Sequence, residues 1–441
     1  MLGKYLGKLT SSQIIMGSFA AMILLGSLLL MLPAASADGS VTPWLDCLFT
    51  STSAACVTGL VVFDTATHWS LFGQFVIIVL IQIGGLGVFT IAFLLSVFLG
   101  SRISLRQRGI LRDSISAQTV GGIIRLSIFL IRWVFIFEAA GALALMPVMI
   151  RDFGWARGIW YGIFHSVSAF CNAGFDLMGV REPFSSLSAY QADPVVNITI
   201  MALIVIGGLG FYVWKDISDT RFRFSRFSLQ TKIVLITTCV LIVLPGIWLT
   251  LTEYGNLPLP EALLSGFFQS VTTRTAGFNT ADLTKLQEDN KLLMVVLMLI
   301  GGSPGSTAGG MKTTTVAVMI LTMFAVFCRK RDVAVFHRRI SRDTVRTASA
   351  ILTMYLTLFL LSSGIISRIE HVPLLSAAFE TSSALGTVGL TLGLTPTLGT
   401  VSHIILILLM YTGRVGGLTI LYAAIREGTS LRYPEEPVSV G

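Results

Sequence analysis

Long apolar runs alternate with short polar breaks along this chain, and the alternation repeats four times. Each quarter carries a run long enough to cross a bilayer, then a half-length apolar run, then a glycine elbow, then a second long run. The first quarter predicts helices over 13–33 and 43–55, an elbow at 56–62 and a helix over 71–100. The second predicts 123–150, 158–170, 171–177 and 194–214. The third predicts 230–252, 260–272, 273–279 and 291–327. The fourth predicts 345–366, 373–384, 385–392 and 400–426. About 20 apolar residues span a hydrocarbon core of about 30 Å, whereas a helix of about 12 residues reaches about 18 Å. The half-length helices are therefore expected to enter and turn back. Irregular backbone persists at membrane depth only where it is buried in protein or lines a water-filled cavity.

Four such elbows predict one central pore. The expected fold is an all-α polytopic membrane protein of four pseudo-symmetric helix–re-entrant pore loop–helix repeats. Their bounds are 1–100, 101–214, 215–327, with an intramembrane loop at 301–313, and 328–441, ending in a short cytosolic tail.

Composition narrows the class. The 441 residues are 54% hydrophobic and 12% charged, against about 25% charged in soluble domains. Such a chain lacks the polar surface to cover itself in water. The net charge of +8 is no sign of a nucleic-acid partner, because the basic residues sit between apolar spans. The five cysteines (47, 56, 171, 239 and 328) show no metal-ligand spacing. Cys56 and Cys171 occupy matching places in two repeats, which implies packing beside the elbows. Lys4 and Lys8 before an apolar run, with Ala35-Ser36-Ala37 after it, imitate a cleaved leader. The run at 14–32 exceeds the 7–15 residues of a leader core and is read as a retained helix.

Charge orients the chain. Lys4, Lys8, Arg102, Arg106, Arg108, Arg112, Lys215, Arg221, Arg223, Arg226, Lys232, the basic residues of 329–346, Arg426 and Arg432 all fall on the side of the N-terminus. The opposite loops carry Asp38, Asp64, Asp152, Asp176, Glu182, Asp193, Glu253, Asp282, Glu288, Asp289 and Glu370. The positive-inside rule then puts both termini in the cytosol and opens the elbows outward. An acidic outer mouth concentrates cations.

The elbows supply the chemistry. A dehydrating cation needs oxygens in place of its water shell, and backbone carbonyls serve when glycine permits the required dihedrals. The expected filter comprises Val57-Thr58-Gly59, Asn172-Ala173-Gly174, Thr275-Ala276-Gly277 and Thr387-Val388-Gly389. The fourth strand comes closest to a potassium-channel signature and the second diverges most.

Within the second helix of the third repeat lies Gly301-Gly302-Ser303-Pro304-Gly305-Ser306-Thr307-Ala308-Gly309-Gly310-Met311-Lys312-Thr313. Met311 before Lys312 breaks the register of a phosphate loop. Pro304 and five glycines must break the helix. A glycine-rich loop just below an elbow is expected to act as a gate, and this is the one spanning helix in which such a break is expected.

Arg414 falls inside the last spanning run. An arginine at helix centre costs about 2.5–3.5 kcal/mol on insertion scales, so it should face protein or water. It is expected to be an electrostatic barrier in the pore, the alternative being a structural bond to helix carbonyls. Arg274 and Glu380 would each be costly alone at membrane depth, so a mutual ion pair bracing two elbows is expected. Arg132 and Glu138 do not share a helix face and are read as local packing. The histidines show no ligand spacing. The runs Gly84-Gly85-Leu86-Gly87 and Gly207-Gly208-Leu209-Gly210, echoed at Gly416-Gly417, are read as close helix packing.

These residues carry a resemblance that covers essentially the whole chain. The four elbows, Ile83 to Gly87, Ile206 to Gly210, 301–313 and Gly413-Arg414-Val415-Gly416 resemble those of the Trk/Ktr/HKT potassium transporter superfamily, and the length resembles its KtrB-type subunit. The Trk type typically has an additional N-terminal helix pair. The resemblance implies K⁺ uptake through glycine-centred filters, with Na⁺ as an activator and the interrupted helix and arginine as gate. It implies a homodimer in a bacterial plasma membrane, resting on a KtrA-like cytosolic ring that binds nucleotide. No cofactor is expected in the chain itself. A coupled cation symporter is the alternative, but such folds usually carry inverted repeats, and all four repeats here run the same way. An enzyme would need a constellation of His, Asp or Glu at membrane depth, and the sequence offers none.

Overall fold

Three proline residues set where the half-length helices begin. Pro43, Pro258 and Pro373 stand immediately before them, and Gly154 takes that place in the second repeat. Proline loses nothing by lacking an N–H where a helix has no use for one. A computed structural model describes residues 10–88, 90, 109, 123–417, 419 and 420. The sequence-based expectations for Lys4, Lys8, 91–100, Arg102, Arg106, Arg108, Arg112, 421–426, Arg426, Arg432 and the tail lie outside the described residues.

The first quarter contains α1 (Ser11–Leu30), α2 (Trp44–Ala55) and α3 (Leu71–Leu86). The second contains α4 (Ile123–Phe153), α5 (Trp155–Phe170), α6 (Pro194–Leu209) and α7 (Phe211–Asp219). The third contains α8 (Leu229–Thr252), α9 (Leu259–Thr272), α10 (Glu288–Leu299) and α11 (Thr313–Phe327). The fourth contains α12 (Arg342–Glu370), α13 (Leu374–Gly386) and α14 (Thr400–Val415). The strands β1 (Ala334–Val335) and β2 (Arg338–Arg339) form an antiparallel hairpin before α12, Ala334 facing Arg339. Among the described residues, four helices are long and apolar enough to cross a membrane, five if the bent pair α6–α7 counts as one span. The protein is a mostly helical membrane protein.

Packing closes the quarters into a ring. Each half-length helix lies against the first helix of its own quarter: α2 on α1, α5 on α4, α9 on α8, α13 on α12. The second helix of each quarter then reaches the half-length helix of the next: α3 touches α5, α6 touches α9, α10 touches α13, and α14 returns to α2. Polarity is inverted relative to a soluble domain. Leu24, Leu25 and Leu28 of α1 are exposed, whereas Ser51, Ser53, Ser168, Thr272, Ser382 and Ser383 of the half-length helices are buried. Phe49, Phe164 and Phe379, ten residues before the elbow glycine, and Phe268, nine before it, are fully buried.

One expectation needs correction. The break in the third quarter is not alone: among the described residues, each of the other second helices stops or bends at a glycine. α3 stops at Leu86 and α14 at Val415, each followed by a glycine, Gly87 or Gly416, with φ of +85° or +88°. α7 leaves α6 at 89°. The reason is the glycine runs, which do more than bring helices together. A Cβ on Gly84, Gly207 or Gly413 would fall 2.1, 2.0 or 2.2 Å from the carbonyl oxygen of Ala55, Phe170 or Leu385. The second helices press on the bases of the elbows there. Residue pattern alone misses the turns, because apolar periodicity continues across each glycine.

Candidate functional site: a four-strand filter and the loop beneath it

Each half-length helix ends at a cap residue, Cys56, Cys171, Thr273 or Thr387, and the chain turns at once into a short irregular strand. The four helix C-termini thus converge where carbonyl ends of helix dipoles favour a cation. Every strand repeats one backbone conformation. Val57, Asn172, Thr275 and Thr387 have φ of +56°, +59°, +71° and +52°, and Gly59, Gly174, Gly277 and Gly389 have φ of +93°, +69°, +80° and +95°. In an ordinary strand successive carbonyls point to opposite sides. Positive φ on either side of a central residue breaks that alternation, and the second of the two positions needs glycine.

The glycines close a ring. A Cβ on Gly59 would lie 2.4 Å from the Ala173 carbonyl oxygen, and one on Gly174 would lie 2.7 Å from that of Ala276. One on Gly277 would lie 2.4 Å from the Val388 oxygen, and one on Gly389 would lie 2.2 Å from the Thr58 oxygen. The twelve residues expected to form the filter are thereby brought together as four strands, each touching the next.

Hydroxyl groups that recur before each elbow glycine, and to which the sequence pattern alone gives no role, hold the strands from behind. The Thr58 and Val388 N–H groups donate to the Ser53 and Ser383 carbonyls (2.8 and 2.7 Å), and those of Gly59 and Gly389 donate to the same serines' Oγ atoms, both at 3.0 Å. Ser168 and Thr272 instead donate to the Phe175 and Phe278 carbonyls at 2.7 and 2.6 Å. His165 accepts from the Leu177 N–H at 3.2 Å through Nε2, while its Nδ1 donates to the Tyr161 carbonyl at 2.7 Å. The signal in the sequence is a hydroxyl six residues before each glycine, five in the third repeat. With strand N–H groups engaged behind, carbonyls are left for the axis.

Beyond the filter opens a cavity of about 100 Å³ lined by the four glycines, Asp64 and Asp176. Asp64 is engaged structurally, accepting from the Ala66 and Thr67 N–H groups and, from the second repeat, the Phe184 N–H, all at 3.0 Å. Asp176 accepts from the Met178 N–H at 2.9 Å. Burial, with a smaller contribution from Asp64, pushes its carboxyl up to about 7 despite that bond.

On the other side lies the loop between α10 and α11. Its backbone is fixed at several points. Gly301 N–H donates to Met311 O (2.8 Å), Thr313 N–H to Gly302 O (3.0 Å), Ser303 N–H to Gly208 O (3.0 Å) and Gly310 N–H to Gly413 O (3.0 Å). Lys312 Nζ donates to the Ala308 carbonyl at 2.7 Å. Gly309 lies directly against Thr387: a Cβ there would sit 2.2 Å from its Oγ1. Arg414 spans the gap, donating to the carbonyls of Thr307 and Gly84, and to that of Gly85 at 2.9 Å. Gly305, Ser306, Ala308, Gly310, Lys312 and Arg414 line a further cavity of about 250 Å³ on the far side of the loop. The expected gate residues are therefore together, and Arg414 bonds to carbonyls of two elements rather than standing free.

The expected ion pair is not formed. Arg274 points to the first helix of its own repeat, with Nη1 and Nη2 both 3.5 Å from Thr238 O and Oγ1. Glu380 is consumed by the turn beyond its own filter strand. It accepts from Thr391 Oγ1 (2.6 Å), Thr395 Oγ1 (2.6 Å) and the Leu392 N–H (3.0 Å). Local hydroxyl and amide donors outcompete a distant guanidinium. Glu138, read as packing, receives Gln82 Nε2 at 2.9 Å beside Cys171.

Comparison with known proteins agrees with this architecture. The family model described as a cation transport protein, TrkH, matches residues 7–433. The chain is 40% identical to the potassium/sodium uptake protein NtpJ of Enterococcus hirae, covering 98% of each chain. It is 38% identical to the Ktr system potassium uptake protein B of Bacillus subtilis, over 98% of this chain and 97% of that one. It superposes on the crystal structure of the potassium transporter TrkH from Vibrio parahaemolyticus with a TM-score of 0.74 and 19% identity, covering 93% of this chain and 83% of that one.

Proposed function

Because the chain belongs to the TrkH family of cation transport proteins, we propose that it is the ion-translocating subunit of a bacterial K⁺ uptake system. K⁺ permeates through the four-strand filter, and the 301–313 loop with Arg414 gates the path. The observation that carries this reading is the closed ring of filter glycines, each apposed to the next strand's carbonyl. Such a ring offers dehydrating oxygens on all sides of one axis. Asp64 and Asp176 at one mouth, and Lys312 and Arg414 lining the cavity at the other side, suit cations that enter from the acidic side and meet a barrier.

The partners belong to the same proposal. Two relatives of high coverage are named as B proteins of Ktr systems. The chain accordingly works as a homodimer in the plasma membrane, with both termini cytosolic and a KtrA-like nucleotide-binding ring beneath. The basic hairpin Arg338–Arg339 and the adjoining Arg342 and Arg346 face that ring. Na⁺ acts as an activator. Growth of a K⁺-uptake-deficient bacterium on low K⁺ tests the reading. Rescue is expected from the wild-type chain and not from Gly389→Ser, whose Cβ would meet the Thr58 carbonyl. No rescue by the wild-type chain, co-expressed with a regulatory partner, overturns it.

A further inference from the structure

Four residues occupy the first position of the filter strands, and they differ chemically: Val57, Asn172, Thr275 and Thr387. All are buried. Asn172 alone among them uses its side chain in two directions. Its Nδ2 lies 3.3 Å from the Arg274 carbonyl oxygen and 3.3 Å from Thr275 Oγ1, both on the third strand. A backbone carbonyl can only accept, which fixes the nitrogen on that side of the amide. Oδ1 therefore faces the other way, where Thr307 Oγ1 lies 3.4 Å away. The single proton of that hydroxyl is shared with the nearer Phe170 carbonyl, 3.1 Å away at the base of the second elbow, so the link to Asn172 is the longer arm of a bifurcated bond.

Thr307 is the residue of the loop that Arg414 holds by its backbone carbonyl. Its N–H donates to Gly207 O at 3.3 Å. A Cβ on Gly207 would lie 2.9 Å from both Asn172 Oδ1 and Thr307 Oγ1, so no side chain intrudes on the junction from that helix. Opposite, Thr387 Oγ1 has no hydrogen-bond partner among the described residues and abuts Gly309 of the same loop. The loop thus touches the inner end of the filter at two points and makes a polar bond at one.

We propose that Asn172 is a positioning residue that couples the gate to the filter, so that K⁺-over-Na⁺ discrimination depends on where the loop stands. With the loop in place, the Thr307 hydroxyl helps hold the amide, and the amide holds the inner end of the third strand. When the loop withdraws, Oδ1 loses that partner. The second and third strands then lose a shared restraint on one side of the ring. Val57 offers no polar group for an equivalent link, so the control sits in one quarter of a four-part structure. The inference rests on the K⁺-uptake reading.

The test measures initial K⁺ and Na⁺ uptake by the full chain in K⁺-uptake-deficient cells. The variants are Thr307→Val, Thr307→Ser, Asn172→Ala and the Asn172→Ala/Thr307→Val double variant. Thr307→Val removes only the hydroxyl and should lower the K⁺:Na⁺ ratio about threefold or more, the scale of coupling between contacting groups. Thr307→Ser should keep the wild-type ratio. The double variant should be no worse than the more severe single one. A role in packing alone would lower both fluxes together and leave the ratio unchanged. If Asn172→Ala does not reach the membrane, the Thr307 pair alone decides. An unchanged ratio in Thr307→Val, or strictly additive effects, overturns the coupling. Absence of K⁺ uptake by the wild-type chain instead overturns the functional reading beneath it.

Discussion

Arg414, on the last described helix, donates to the backbone carbonyl of Thr307, more than a hundred residues earlier in the chain. The bond joins the fourth quarter to the loop of the third, and bonds from the same guanidinium to Gly84 and Gly85 bring in the first quarter. One side chain therefore fastens three quarters below the filter.

Loosening that fastening should open the path. Arg414→Gln removes a charge and weakens the bonds, each charge-assisted hydrogen bond contributing about 1.5–3 kcal/mol. Basal K⁺ flux should rise about tenfold at equal expression if one such bond holds the loop closed. Unchanged or lower flux with normal membrane abundance would show that Arg414 supports folding rather than gating.

The two kinds of hydroxyl behind the strands should respond differently to removal. Ser383→Ala leaves the Gly389 N–H without its acceptor, and a buried unpaired donor costs about 1–3 kcal/mol. Ser168→Ala removes a donor to the Phe175 carbonyl but leaves every strand N–H as it was. K⁺-over-Na⁺ discrimination should fall more in Ser383→Ala than in Ser168→Ala. Equal effects would mean that the strand N–H bonds do not shape the filter.

Asp176 should give the cavity that it lines beside the filter a pH dependence near neutrality. Its carboxyl is raised to about 7 by burial and by Asp64, so it is mostly neutral below that pH and mostly charged above it. A charged carboxylate beside the filter attracts cations. K⁺ uptake at limiting K⁺ should therefore rise as external pH passes from about 6 to about 8. Asp176→Asn should flatten that rise. A profile identical in the variant would assign the pH dependence elsewhere.

Arg274 and Glu380 have separate partners, so their substitutions should be independent. Arg274→Gln disturbs contacts with Thr238, whereas Glu380→Gln disturbs the turn at Thr391 to Thr395. Thermal-stability losses should add in the double variant to within about 0.5 kcal/mol. A larger coupling would restore the ion pair that the structure replaces.

Much of this architecture is legible along the chain. The half-length helices fall within a few residues of their expected bounds, since proline or glycine starts each and the elbow ends it. The four elbow glycines are equally readable, because positive φ restricts one place in each strand to glycine. The breaks at Gly87, Gly210 and Gly416 were less readable. An apolar helix and an apolar helix that turns have the same composition, and the turn depends on a carbonyl of a distant elbow pressing against Gly84, Gly207 or Gly413.

By itself the sequence determined a membrane protein of four like quarters, each carrying a glycine elbow, with one glycine-rich interruption and one buried arginine near it. Those features follow from local rules of hydropathy, helix length and backbone sterics. Tertiary structure alone decided which groups meet. Arg274 turned to Thr238 and Glu380 to its own turn, Arg414 reached Thr307, and Asn172 came to stand between a filter strand and the loop. Partner choice among buried polar groups depends on which donors and acceptors the closed ring brings within about 3 Å, and residue order does not encode that distance.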